Sequence, residues 1–197
     1  MSILVKICGL RERRHVAEAI EAGANAVGFV FAASPRQLTP AAARSISKVV
    51  PSQVKRVAVM LHPTKDEWLD VLEQFEPDVL QTDAGDLDGL DVPAHVECWP
   101  VFREGQATPD TDSSYVYEGA KSGQGEAVDW STAARLARRG KMVLAGGLRA
   151  ENVATAIRTV RPFGVDASSG LESAPGQKET HLIKQFISAV RAAETDL

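Results

Sequence analysis

The sequence predicts a single domain of the α/β class, folded over residues 1–197 as a compact (β/α)₈ barrel. Two observations predict this fold. Apolar, β-branched runs alternate with segments of helical period along the whole chain, and glycine-rich strings follow the seventh and eighth runs, LAGGL at 144–148 and VDASSG at 165–170. The alternative, an open doubly wound sheet, carries its glycine fingerprint after the first strand, where this chain reads CGLRER. The sequence therefore favours the TIM barrel.

The apolar runs predict eight strands in chain order. They cover residues 3–8, 26–31, 56–60, 79–82, 95–102, 115–117, 142–145 and 164–167. The clearest helices are predicted over residues 13–22, 64–75, 151–160 and 178–194, with another that begins at Pro40. Thr39 and Thr64 are predicted N-caps, and Gly23 is predicted to end the first helix. Because the stretches after strands four and five are rich in Gly, Pro and Asp, poor or missing helices are predicted there.

Composition excludes several classes of partner. The chain has 22 basic and 26 acidic residues, a net charge of −4 and no Lys/Arg cluster, so no nucleic-acid partner is predicted. It has neither a signal-peptide pattern nor an apolar run of about 20 residues, so no membrane contact is predicted. Two cysteines, Cys8 and Cys98, suit a reducing compartment, and we predict a cytoplasmic protein. Without a long heptad or apolar stripe, a monomer is favoured over a homodimer.

Cys8 is the first candidate for chemistry, because the carboxyl ends of barrel strands converge on one mouth. It closes the first predicted strand, and Gly9 lets the chain turn directly after it. A neighbouring cation or helix N-terminus would lower the pKa of the thiol and make it a base or nucleophile. The alternative is a small buried hydrophobic residue.

Glu118 closes the sixth predicted strand and meets the glycine-containing run 119–125, which we interpret as a mobile cover. Burial would raise the pKa of this carboxyl and let it act as an acid; the alternative is a solvated loop glutamate. Arg36 lies in the loop after strand two, where its guanidinium would pair with a substrate carboxylate. The alternative for Arg36 is an ordinary surface arginine.

The two glycine-rich strings predict a phosphate site at the last two strand ends. Backbone N–H groups and hydroxyls would come from Gly146, Gly147, Ser168, Ser169 and Gly170. Residues 171–176 are predicted to form a short extra helix whose N-terminus faces the anion. No metal site is predicted, because no two histidines stand at ligand spacing, and His62 is interpreted as a loop residue. A sugar-phosphate enzyme is the first hypothesis.

Several segments resemble the phosphoribosylanthranilate isomerase family of tryptophan biosynthesis. They are KICGL at 6–10, GANAVGFVF at 23–31, SPRQLTPAAAR at 34–44, LAGGLRAENVATAI at 144–157 and VRPFGVDASSGLESAPGQKE at 160–179. The resemblance covers nearly the whole chain in order. KICG together with VDxSSGxE is a specific pair, unlike either glycine string alone.

The resemblance implies a cofactor-free Amadori rearrangement of N-(5-phosphoribosyl)anthranilate to 1-(2-carboxyphenylamino)-1-deoxyribulose 5-phosphate. It implies that the cysteine of KICG, here Cys8, is the general base. Counting back from the Asp129-Trp130 pair, the family's general-acid aspartate falls on Glu118. The family arginine that contacts the anthranilate carboxylate matches Arg36.

The chain departs from the family pattern in three places. Glu118 replaces an aspartate, QTDAG at 81–85 stands where QLHG is usual, and KSGQG at 121–125 stands where GGSG is usual. Asp83 and Asp112 are therefore alternative acids. Two other functions stay open: the aminoaldose isomerase of histidine biosynthesis, and a non-catalytic binder that retains the phosphate grip.

Overall fold

The computed structural model describes residues 2–106, 112–120, 125 and 127–195. Eight parallel strands close into a barrel in chain order, and the eighth pairs with the first. The strands are β1 (Leu4–Cys8), β2 (Ala26–Val30), β3 (Lys55–Val59), β4 (Val79–Asp83), β5 (Glu97–Arg103), β6 (Ser114–Glu118), β7 (Lys141–Leu144) and β8 (Gly164–Ala167). The predicted (β/α)₈ barrel is confirmed.

Six α-helices surround the barrel in the described ranges. They are α1 (Arg13–Ala22), α2 (Pro40–Ser47), α3 (Lys65–Phe75), α4 (Trp130–Leu136), α5 (Ala150–Val160) and α6 (Thr180–Glu194). The predicted caps are confirmed: Thr39 Oγ1 accepts a hydrogen bond from the Ala42 N–H at 3.2 Å, and Thr64 shares a reciprocal cap with Glu67. Gly23 ends α1 with a φ of 105°.

The connections after β4 and β5 carry no α-helix in the described part of the chain. A 3₁₀ helix, Ala84–Gly89, follows β4, and the described residues between β5 and β6 form no helix. The predicted weak helices there are confirmed. Among the helices of the described ranges, none has the length and apolar character needed to cross a membrane.

The predicted helix over residues 171–176 is wrong. A 3₁₀ helix covers Ser169–Leu171, and the chain then forms an antiparallel hairpin of β9 (Glu172–Ala174) and β10 (Gln177–Lys178). The turn uses Gly176 at a φ of 80°, a left-handed conformation that a helix would not allow. Lys178 pairs with Glu172 across the hairpin, so the last helix begins at Thr180 rather than at Lys178.

Strand alternation decides which side chains face the barrel interior. In β6, Tyr115 and Tyr117 pack outward against the helices while Val116 packs inside. Because side chains alternate with a period of two, Lys6 and Cys8 of β1 also point inward. The alternation also directs polar or charged side chains inward near the carboxyl ends of β4, β5, β6 and β8, namely Gln81, Asp83, Arg103, Glu118 and Asp166. The interior is therefore apolar below and charged near the mouth.

Candidate active site

One cavity at the carboxyl ends of the strands brings together most of the predicted site residues. Its wall includes Cys8, Arg36, Gln81, Glu118, Gly146, Gly147, Asp166, Ser168 and Ser169. Gly170 lies behind this wall, where an added Cβ would clash with the Leu148 carbonyl oxygen, so it allows the two glycine-rich loops to pack closely. Of the predicted cover, Gly119 and Gly125 line the cavity, and residues 121–124 lie outside the described residues.

Cys8 lines the cavity and is 7% exposed. Space for its thiol depends on Gly28 of β2, because an added Cβ there would lie 3.0 Å from Cys8 Sγ. Burial raises the pKa of the Cys8 thiol, while the charge of Lys6 opposes the rise without cancelling it. The predicted cation is therefore present, but the predicted lowering of the Cys8 pKa is wrong because desolvation is the larger effect.

Lys6 and Asp166 form a buried ion pair beside Cys8. The Lys6 ammonium lies 2.7 Å from Asp166 Oδ2, and the two residues are paired in register across β1 and β8. Burial is the largest single effect and lowers the pKa of Lys6, but the charges and hydrogen bonds of Asp166 and Cys8 together outweigh it, so the pKa is raised and the lysine stays charged. Asp166 Oδ1 is buried and accepts no hydrogen bond from the described residues. It is an available acceptor for a group in the cavity.

Glu118 does not stand alone at the end of β6. The Arg103 guanidinium pairs with it from β5 and also with Asp83 from β4. We call Asp83, Arg103 and Glu118 the Arg103 cluster. Since a guanidinium favours the charged carboxylate, burial is not the single influence on this acid. The predicted rise of the Glu118 pKa stays a prediction.

Arg36 is buried rather than on the surface. Its Nε and Nη2 donate to the two Glu172 carboxylate oxygens at 2.8 and 2.7 Å, and Lys178 pairs with the same carboxylate. We call Arg36, Glu172 and Lys178 the Arg36 cluster. Burial raises the pKa of Glu172, but hydrogen bonds from both cations outweigh it, so the pKa is lowered. Glu172 is therefore a charged anchor that fixes Arg36 at the cavity.

Side-chain hydrogen bonds hold the glycine-rich loops after β7 and β8 in place. Asn152 Nδ2 donates to the Gly147 carbonyl at 3.0 Å, and its Oδ1 accepts from the Arg149 N–H at 2.9 Å. Lys178 Nζ donates to the Ser168 carbonyl at 3.1 Å and to its hydroxyl at 3.3 Å. These bonds hold the loops after β7 and β8 in place beside the amino end of α5, the geometry that suits an anion.

The alternative acids are placed elsewhere. Asp83 is held by Arg103 and does not line the cavity, and Asp112 is exposed. The side chain of His62 is 68% exposed, and its Nδ1 lies 2.9 Å from Asp86 Oδ1. None of the three is presented to the cavity that holds Cys8 and Glu118.

Five residues of these clusters and pairs were not predicted from the sequence. They are Lys6, Arg103, Asp166, Glu172 and Lys178. A usable signal existed for Lys6 and Asp166, because each interrupts an apolar strand run with a charge that a parallel strand buries only when paired. Arg103 gave no such signal, since the residue follows the predicted end of its strand.

A closed parallel barrel, with glycine-rich loops after β7 and β8 and titratable residues at its carboxyl end, defines a (β/α)₈-barrel enzyme. The family can be stated as well. The family model described as N-(5'phosphoribosyl)anthranilate (PRA) isomerase matches residues 5–189, and the chain belongs to this family. The family resemblance found in the sequence is confirmed.

Individual relatives agree over nearly full length. The N-(5'-phosphoribosyl)anthranilate isomerase of Listeria monocytogenes serotype 4a is 34% identical over 98% of this chain and 100% of its own. Phosphoribosyl anthranilate isomerase from Thermus thermophilus superposes with a TM-score of 0.84 and 28% identity, covering 96% of this chain and 99% of its own. A phosphoribosyl anthranilate isomerase in complex with reduced 1-(o-carboxyphenylamino)-1-deoxyribulose 5-phosphate has a TM-score of 0.80 and 30% identity, covering 96% and 99%.

Proposed function

We propose that this cavity isomerises N-(5′-phosphoribosyl)anthranilate with Cys8 as the general base and Glu118 as the general acid. Family membership makes the chain an isomerase of tryptophan biosynthesis. The observation that supports the residue assignment is that Cys8 from β1 and Glu118 from β6 line one cavity. A substrate seated there would contact both groups.

The reaction needs one acid and one base. A proton on the ribose ring oxygen opens the ring, and the anthranilate nitrogen pushes electrons to form a Schiff base. Removal of the C2 proton then gives an enolamine, which tautomerises to the ketose. In our proposal protonated Glu118 donates to the ring oxygen and the Cys8 thiolate takes the C2 proton. C1 of the sugar is reduced while C2 of the same molecule is oxidised, so no external oxidant or reductant enters.

Lys6 would support the base. Burial disfavours the charged thiolate, and the Lys6 ammonium opposes this cost most strongly, with a smaller effect from Lys178. The free Oδ1 of Asp166 would accept a hydrogen bond from a substrate hydroxyl beside the reacting carbons. Both residues would therefore act on the same end of the cavity as Cys8.

The substrate's two anions would occupy separate places. Glu172 holds Nε and Nη2 of Arg36, which leaves Nη1 as the guanidinium nitrogen for the anthranilate carboxylate. The 5′-phosphate would lie on the loops after β7 and β8, against the backbone of Gly146, Gly147 and Ser169. Gly170 would contribute to this phosphate site by letting the loops pack closely.

Replacing each catalytic residue tests the assignment. Purified Cys8→Ser and Glu118→Gln should each turn over N-(5′-phosphoribosyl)anthranilate with a kcat lowered by about 10² or more, the usual scale for a positioned acid or base. Cys98→Ser is the matched control, since Cys98 does not line the cavity. Near-wild-type turnover in either active-site variant would remove that residue from the mechanism. Binding without turnover by the unaltered chain would make it a non-catalytic binder.

We also propose that the chain is a monomer in the cytoplasm. In the described ranges the exposed large hydrophobic side chains are Leu61 and Leu69, too few for the apolar patch of a stable dimer. Light scattering after size exclusion tests the monomer: the mass of one chain is expected, and twice that mass would contradict it.

A further inference from the structure

The Arg103 cluster joins three neighbouring strands just below the cavity mouth. Arg103 is 7% exposed on the inner face of β5, and its Cα is in register with that of Glu118 on β6. Its Nε lies 3.3 Å from Asp83 Oδ2 on the other side. Glu118 lines the cavity, whereas Arg103 and Asp83 do not. Among the described residues of the cluster, Glu118 is therefore the one that connects Arg103 to the cavity.

We propose that Arg103 is a positioning residue for the isomerase reaction: it holds the Glu118 carboxyl at the cavity wall, and Asp83 keeps the guanidinium neutralised when Glu118 carries the proton. This inference rests on the proposed role of Glu118 as the general acid. It assigns a joint task to two residues that do not touch substrate.

Side-chain length supports the positioning role. A glutamate has one more methylene and one more rotatable bond than an aspartate at the same strand end, so its carboxyl samples more positions. Proton transfer depends on close placement of the donor. An arginine directly opposite on the next strand, itself fixed by Asp83, restricts that carboxyl to the wall shared with the cavity.

Charge supports the role of Asp83. A buried guanidinium with Glu118 as its one partner would be left unpaired whenever that glutamate is protonated, which is costly. With Asp83 on its other side, the cluster is electroneutral after Glu118 takes up a proton and carries one negative charge before. Burial lowers the pKa of Arg103, but the hydrogen bond to Asp83 and the charge of Glu118 outweigh it, so the guanidinium stays charged.

A histidine adjoins the cluster and belongs in the test. His62 Nε2 lies 3.8 Å from Asp83 Oδ2, and the hydrogen bond to Asp86 raises the pKa of His62. The loop after β6 also contains Lys121 and Glu126, which lie outside the described residues. Repeating the titration below in His62→Asn separates the titration of the imidazole from that of Glu118.

The experiment is a ¹³C NMR titration of side-chain carboxyl groups in the folded protein, with the Glu118 signal assigned by its loss in Glu118→Gln. Arg103→Met should raise the Glu118 pKa by roughly 1–3 units, because an opposite charge in contact favours the carboxylate. Asp83→Asn should lower it, because the guanidinium then has Glu118 as its one carboxylate. Arg103→Lys should restore part of the wild-type value.

The two variants therefore shift one signal in opposite directions, which a merely structural role would not produce. An unchanged Glu118 titration in both, or a rise in Asp83→Asn, would overturn the proposal. If Arg103→Met does not fold, Asp83→Asn decides alone. Turnover is measured beside the titration. Full activity in Glu118→Gln would defeat the catalytic role of Glu118. A loss of activity in Glu118→Gln, together with no opposite shifts of the Glu118 pKa in Arg103→Met and Asp83→Asn, would defeat the role of Arg103 alone.

Discussion

The two charged clusters at the barrel mouth have opposite ratios of cations to carboxylates. The Arg36 cluster sets two cations, Arg36 and Lys178, around the carboxylate of Glu172. The Arg103 cluster sets two carboxylates around the cation of Arg103. One side of the cavity therefore has a surplus cation and the other a surplus carboxylate.

In the proposed function, this difference separates substrate binding from proton transfer. A surplus cation held rigidly at a cavity wall attracts a substrate carboxylate, whereas a surplus carboxylate next to a neutralised arginine is a site for a proton. The Lys6–Asp166 pair on β1 and β8 is balanced, with one charge of each sign. Removing a charge from each group in turn tests whether its ratio of cations to carboxylates determines what the group does.

The largest effect is expected at the balanced pair. Lys6→Met leaves the Asp166 carboxylate buried without its cation, and removing one partner of a buried pair costs about 3–5 kcal/mol. Chemical denaturation should show that loss in the free energy of unfolding. Loss of the ammonium should also raise the pKa of the Cys8 thiol further, measured by its rate of alkylation against pH.

The matching double variant sharpens this prediction. Lys6→Met with Asp166→Asn removes both charges, so it should be more stable than Lys6→Met alone. Equal stability of the single and double variants would show that Asp166 does not depend on Lys6 for its charge.

Arg36→Met is expected to have the next largest effect. It removes the surplus cation proposed to hold the anthranilate carboxylate, and hydrogen bonds to charged groups contribute about 1.5–3 kcal/mol. Steady-state kinetics should show a KM raised roughly 10- to 100-fold, with a smaller change in kcat. A kcat that falls more than KM rises would place Arg36 in the chemical step instead.

Arg56→Met is expected to have the smallest effect. Arg56 makes a two-point contact with Asp78, at 3.1 and 3.0 Å, at the opposite end of the barrel. Asp78 is partly exposed, so the loss should be about 1 kcal/mol or less, with unchanged kcat and KM. Burial raises the pKa of Asp78, but its hydrogen bonds to Arg56 outweigh it and the pKa is lowered.

The sign of its pH dependence follows from that lowered pKa. The pair stabilises the fold above the unfolded aspartate pKa of about 3.9, and this contribution is lost as pH falls through the folded value. Denaturation curves near pH 7 and pH 3 should therefore differ less in Arg56→Met than in the parent. An altered KM in this variant would mean that ion pairs remote from the cavity also reach the site.

Local signals were enough to predict the fold. Strand β3 was predicted over residues 56–60 and lies at Lys55–Val59, because an apolar run bounded by polar segments reports its own burial. The hairpin of β9 and β10 was not predicted, because it depends on Glu172 meeting Arg36, a residue 136 positions away. Turn residues alone left the 171–176 segment ambiguous.

The site residues at strand ends were predicted from the sequence. The residues whose partners lie on a neighbouring strand of the barrel were not. Cys8 and Glu118 follow from strand ends together with the family resemblance. Lys6 meets Asp166 across 160 residues because β8 pairs with β1; each apolar run shows a buried charge but does not identify its partner. The position of Arg103 between two carboxylates likewise requires the register of three strands.

Calorimetric titration with reduced 1-(o-carboxyphenylamino)-1-deoxyribulose 5-phosphate, the compound in the complex of a related isomerase, tests the division between the two clusters most directly, because it measures binding apart from turnover. The unaltered chain, Arg36→Met and Glu118→Gln are compared at one pH. We predict a Kd raised roughly 10- to 100-fold in Arg36→Met and an unchanged Kd in Glu118→Gln. Equal weakening in both variants, or unchanged binding in Arg36→Met, would contradict the assignment of binding to one cluster and proton transfer to the other.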